Sequence, residues 1–138
     1  MPQRRNPSLP TRIIEAANRA EATALLMRLG YQVYRPEADV DGEDLVVKTP
    51  RGKLRAVQLK SCPVVNRKYS GKNIWMLFPC DKYQPDAPRE WFLIQHDRLF
   101  DWMQTAHGHT ISLGQNGGWA ATYVSKELRA FVKPSRVK

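Results

Sequence analysis

The sequence predicts an α/β fold: a mixed β-sheet of about four to five strands, with a helix packed on one face and later helices covering the other. Three observations lead there. An amphipathic stretch from Thr11 to Gly30 precedes a series of short strand-like runs. Gly42 to Ser61 reads as two strands joined by a tight turn. Ile74 to Phe78, Ile-Trp-Met-Leu-Phe, is a continuous apolar run of the kind buried on both faces of a sheet.

Composition bounds the function. The chain has 138 residues, 42% of them hydrophobic, which suits one domain with a modest core. The expected layout is a basic arm over 1–11, a domain over 12–132 and a basic tail over 133–138. The formal net charge is +9, from 22 Lys+Arg against 13 Asp+Glu. Such an excess favours a polyanionic partner without separating DNA from RNA or an acidic protein. Cys62 and Cys80 follow no metal spacing and read as free thiols of a reducing compartment. No apolar run is long enough to span a membrane, and the N-terminus lacks the apolar core of a signal peptide. A cytoplasmic protein with no membrane partner is expected.

Each element has its own reason. Arg4 and Arg5 lie in a proline-bearing arm and are candidates for phosphate contact. Thr11 can cap the first helix and Gly30 can end it. Ile14, Ala22, Leu25 and Leu29 share one face of that helix, with Asn18 in the middle of the stripe, Glu21 near its edge and Glu15 at the other margin. Polar groups there need a partner or a purpose. Tyr31 to Arg35 is a strand that Pro36 ends. An acidic loop carrying Asp41 and Glu43 leads into Asp44. Leu45 to Val47 is the next strand, Thr49-Pro50-Arg51-Gly52 the turn and Leu54 to Lys60 the returning strand.

The second half is read the same way. Residues 61–72 form a basic loop in which Arg67, Lys68 and Lys72 accompany Tyr69, a set suited to straddling a nucleic-acid backbone. After the apolar strand, residues 79–89 are loop and Trp91 to Gln95 is a strand. A helix starts at His96 or Asp97 and runs through Gln104. Ile111 to Leu113 is expected as a short strand, Gly114 to Gly118 as a turn, Trp119 to Val124 as a strand and Ser125 to Val132 as a terminal helix. His96, His107 and His109 have no neighbours that complete a metal-ligand pattern.

The chemistry gathers on the hairpin. Alternation puts Gln58 and Lys60 on one face of the returning strand, while Asp44 stands at the entrance of its partner. A carboxylate and an amide oxygen are hard ligands that suit Mg²⁺. A lysine beside them can offset charge on a phosphate or help activate a water.

Asp44, then Gln58-Leu59-Lys60, resembles the core motif of the PD-(D/E)XK nuclease superfamily: an acid at the start of one strand, then Asp/Glu-x-Lys on the next. Gln58 departs from it, standing where a carboxylate is usual. A Gln-x-Lys form occurs in the branch that contains a cyanobacterial intron-encoded homing endonuclease and small bacterial relatives, which this chain resembles over Ile13 to Phe78. The resemblance implies a restriction-endonuclease-like core and a Mg²⁺-dependent endonuclease, with Mn²⁺ able to substitute, that hydrolyses DNA with a metal-activated water. It implies Asp44, Gln58 and the main-chain carbonyl of Leu59 as metal ligands and Lys60 as the charge-stabilising group. Glu21 from the first helix is the further acid, with Glu15 second. It also implies a homodimer or homotetramer. Two alternatives share the scaffold: a DNA-binding module that has lost cleavage, and a Holliday-junction resolvase, which usually carries a carboxylate in place of Gln58.

Overall fold

A computed structural model describes residues 9–38 and 43–138. Arg4, Arg5 and Asp41 lie outside them.

Helix α1 spans Thr11–Arg28. Thr11 is its first helical residue and not its cap. Pro10 takes the cap position, and its carbonyl accepts from Ile13 and Ile14 N–H at 2.9 and 3.1 Å. Gly30 ends the helix as expected. At φ +90° it lets its own N–H reach Met27 O (3.1 Å) and the Tyr31 N–H reach Leu26 O (3.0 Å), a Schellman closure.

Five strands form the main sheet: β1 (Gln32–Tyr34), β2 (Leu45–Lys48), β3 (Leu54–Leu59), and, after the short β4 (Val64–Asn66), β5 (Ile74–Pro79) and β6 (Trp91–Gln95). Their order is β1-β2-β3-β5-β6. Only β3 and β5 pair in parallel, so the sheet is mixed. The β2–β3 turn closes through Gly52 N–H to Thr49 O (2.8 Å), with Gly52 at φ +90°.

The sheet separates two apolar layers. On one side Ala22 and Leu26 of α1 meet Leu45, Val47, Val57, Leu77, Trp91 and Leu93. On the other, Ile74, Met76, Phe78, Phe92 and Ile94 pack with helix α2 (His96–His107) and helix α3 (Lys126–Val132). Strand β5 thus sends alternate residues into both layers, which explains its unbroken apolar sequence. Helix on one face, later helices on the other: the predicted α/β class is the one observed.

Two further local expectations fail. Ile111 to Leu113 is not a strand but part of a π-helical turn, Ile111–Gln115, capped by Thr110, whose hydroxyl accepts from Leu113 N–H (3.2 Å). Leu113 enters the core and Ile111 stays exposed, so the apolar-polar-apolar pattern is met by a turn. Trp119 to Val124 is not one strand either. Only β7, Gly118–Ala120, pairs, and it pairs with β4 in a separate two-stranded sheet. Ala121 N–H still reaches Pro63 O (2.8 Å), but Pro63 has no N–H to return, and the ladder stops there.

Residues 133–138, expected as a tail, dock on the sheet. Val137 N–H donates to Trp91 O (2.8 Å), Val137 is buried, and Arg136 pairs with Glu90 at 3.1 Å.

Candidate functional site

The β2–β3 register sets the site. Leu45 lies opposite Val57, which brings the residue before β2, Asp44, alongside Gln58. Asp44 N–H donates to Val57 O at 2.7 Å, and one Asp44 carboxylate oxygen accepts from Leu59 N–H at 3.0 Å. The acid is therefore clamped across the strand end at both its backbone and its side chain. Lys60 continues the strand, its N–H bonding Leu77 O of β5 (2.9 Å).

These residues line a cleft of about 390 Å³ whose walls are Asp44, Gln58, Leu59, Lys60 and Ser61 from the hairpin and Glu15, Asn18 and Arg19 from α1. Positions 15, 18 and 19 are spaced to share one helical face. Two acids, Glu15 and Asp44, are set against two cations, Arg19 and Lys60.

Gln58 carries the most informative feature. It is only 7% exposed, and its Oε1 is a buried side-chain oxygen with no hydrogen-bond partner, the one such atom among the described residues. An acceptor stripped of water and given nothing in return is costly, and native proteins rarely keep one without a use. Among the described residues no group of three His, Cys, Asp or Glu could hold a metal.

The first-helix acid that lines the cleft is Glu15, while Glu21 is engaged elsewhere. Glu21 Oε2 accepts from Arg89 Nε (3.1 Å) and from Trp91 Nε1, and it forms an ion pair with the Arg89 guanidinium (3.1 Å). Arg89, whose side chain is 4% exposed, also donates to Asn18 Oδ1 (2.6 Å) and Asp81 O (2.8 Å). Glu21 and Asn18 thus satisfy a buried guanidinium that arrives from the 79–89 loop. The sequence offered no signal for Arg89. Asn18 was legible as a polar residue in the middle of the apolar stripe, and Arg19 carried no signal of its own.

The basic segment also differs from expectation. Tyr69 is turned inward, 8% exposed, with its ring edge-on to His96 at 5.7 Å. Arg67 is folded back toward the π-helical turn, its Nη2 donating to Leu113 O at 3.4 Å. The Tyr69 ring is buried, while Arg67 stays exposed with that one backbone tether. Each finds a partner that the sequence could not supply. Arg67, Lys68 and Lys72 are all exposed. Cys62, next to Ser61, is a free thiol pushed up by burial, with the Ser61 hydrogen bond and the Lys60 charge pulling the other way.

A solved bacterial homing endonuclease, I-Ssp6803I, shares this fold. The superposition has a TM-score of 0.52 and covers 94% of this chain and 88% of that one, at 16% identity. At that identity the likeness is one of fold. No family model matches the chain, and no curated protein matches it. Among the described residues no helix is long and apolar enough to cross a membrane.

Proposed function

We propose that the chain is a divalent-metal-dependent endonuclease acting on DNA, of the PD-(D/E)XK kind in its Gln-x-Lys form. The observation that carries the reading is the orphaned Oε1 of Gln58, a residue that lines one cleft with Asp44, Glu15 and Lys60. Those donors are oxygens, which fit Mg²⁺ or Mn²⁺ and not a soft metal. Asp44, Gln58 and Glu15 would hold the ion, with the Leu59 carbonyl beside them. Bound there, it would supply a Lewis acid toward a phosphate oxygen and lower the pKa of water.

The chain's own groups do the rest. The Leu59 N–H fixes the Asp44 carboxylate, so ligand geometry is set before any ion arrives. Burial of Gln58 withholds water from its oxygen and keeps that acceptor available. Lys60 stands two residues on in the same cleft, where its ammonium offsets charge that grows on the phosphate. The cleft's four charges formally cancel, so a dication makes it net positive and receptive to a phosphodiester. The homing endonuclease of the same fold supports DNA as the substrate. One cleft serves one strand, so a duplex cut calls for a dimer or tetramer.

The test is single-turnover cleavage of labelled DNA with and without Mg²⁺, alongside affinity in Ca²⁺. Lys60→Ala should lower the rate by about 10²–10³-fold and leave affinity nearly unchanged. Linear duplex and four-way junction substrates, compared directly, separate endonuclease from resolvase. If the wild type shows no metal-dependent cleavage of duplex, branched or single-stranded DNA, the enzyme reading fails and a binding module takes its place.

A further inference from the structure

We propose that Gln95, His96 and Asp97, three consecutive residues at the β6–α2 junction, are positioning residues that latch residues 66–73 into a preformed clamp for the DNA backbone. The partner rests on the reading above; the latch stands on hydrogen bonds.

Each residue of the triplet takes hold of a different part of the segment. Gln95 Nε2 donates to Asn73 Oδ1 at 3.1 Å. His96 Nε2 is 3.1 Å from Asn66 N–H, and Asp97 Oδ2 is 3.1 Å from Gly71 N–H. Asn66 N–H can only donate, so His96 Nε2 must accept. The ring proton therefore sits on Nδ1, which donates to Asp97 Oδ1 at 3.0 Å. The histidine is neutral in this arrangement, wholly buried, and flanked by the rings of Tyr69 and Phe100, both 5.7 Å away. That hydrogen bond from His96 is also what holds the Asp97 carboxyl below its ordinary range and so ionised toward Gly71.

The segment is shaped to match. Asn66 Oδ1 accepts from Lys68 N–H (3.0 Å) and caps a single 3-10 turn, Arg67–Tyr69. Gly71 and Asn73 both have positive φ, +76° and +55°. A left-handed asparagine is uncommon and persists where its surroundings hold it, here through Gln95. With Tyr69 turned inward, Arg67, Lys68 and Lys72 are the exposed cations of the frame. Only Ser61 to Pro63 separate the cleft's Lys60 from β4, the strand that leads into the segment. Exposed cations on a fixed frame suit backbone phosphates of a bound duplex, apart from the one being cut. A frame already ordered loses less freedom on binding than a loose loop.

Asp97→Ala is the test variant. Its side chain is 43% exposed, so the fold should survive a change that would be hazardous at buried His96. Amide hydrogen exchange on the free protein should quicken at Asn66, Gly71 and their neighbours and nowhere else. Binding to a labelled duplex in Ca²⁺, titrated over salt, should weaken about 5–10-fold. Lys68→Ala alone should reduce the salt slope by about one. In the Asp97→Ala background it should do measurably less, because the two act as a unit. Asp97→Asn, which keeps an acceptor oxygen, should recover part of both losses. Unchanged exchange in Asp97→Ala overturns the latch. Faster exchange with strictly additive binding losses overturns the clamp, leaving a structural tether. Wild-type protein that binds no DNA, with the exchange pattern as expected, overturns the partner and the functional reading with it while the latch stands.

Discussion

Replacing Gln58 with methionine should make the protein more stable and less able to use metal. Gln58 Oε1 is buried without a partner. Leaving an acceptor so costs about 1–3 kcal/mol, and an apolar side chain of similar volume removes the cost without opening a cavity. A gain of about 1–2 kcal/mol is therefore expected in EDTA. At about 2.1 cal/mol/K per residue, the unfolding entropy of a chain this size is about 0.3 kcal/mol/K. The gain should then appear as a melting temperature about 3–7 °C above wild type. Magnesium reverses the comparison. At ten times its Kd, a ligand of the folded state adds about 1.4 kcal/mol, or about 5 °C, to the wild type. Gln58→Met should gain little of this. The assay is thermal unfolding of both proteins, with EDTA and across a Mg²⁺ titration. A variant less stable than wild type in EDTA would refute the claim that the oxygen is unsatisfied. Equal Mg²⁺ shifts in both proteins would mean that the ion, if bound, does not use Gln58.

The remaining predictions concern the acids. Glu15→Gln should lower Mg²⁺-dependent cleavage and leave the melting temperature near wild type. Glu21→Gln should do the reverse, costing about 1.5–3 kcal/mol in denaturant unfolding, because it weakens the buried bonds to Arg89 and Trp91. Gln58→Glu restores the usual ligand charge and should raise Mg²⁺ affinity, read by calorimetry. Asp97 has a depressed folded pKa, so its contribution is present above the unfolded value of 3.8 and is lost as pH falls through the lower folded value. The stability gap between wild type and Asp97→Asn should accordingly narrow in acid and be level near neutrality, a trend that thermal melts over pH would show.

Where a pattern is local, the sequence alone determined the outcome. The helix from Thr11 to its Gly30 closure, the Thr49–Gly52 turn, the two-sided burial of Ile74 to Phe78 and the hairpin that pairs Asp44 with Gln58 and Lys60 are all properties of near neighbours. Periodicity, a glycine with positive φ and strand alternation act over a few residues, and a reader of the chain has those residues in view. Tertiary structure decided what depends on distant partners. Glu15 and Glu21 flank the same apolar stripe six residues apart, and only the seating of α1 over the sheet, with Arg89 arriving from another loop, sends one to the cleft and the other into an ion pair. Tyr69 looked like a surface group until His96 gave its ring an inner partner, and the 111–115 turn tethers the exposed Arg67. The β4–β7 pair joins two three-residue strands more than fifty positions apart. Neither is long enough to show a period, and their pairing is settled by packing and by the missing N–H of Pro63.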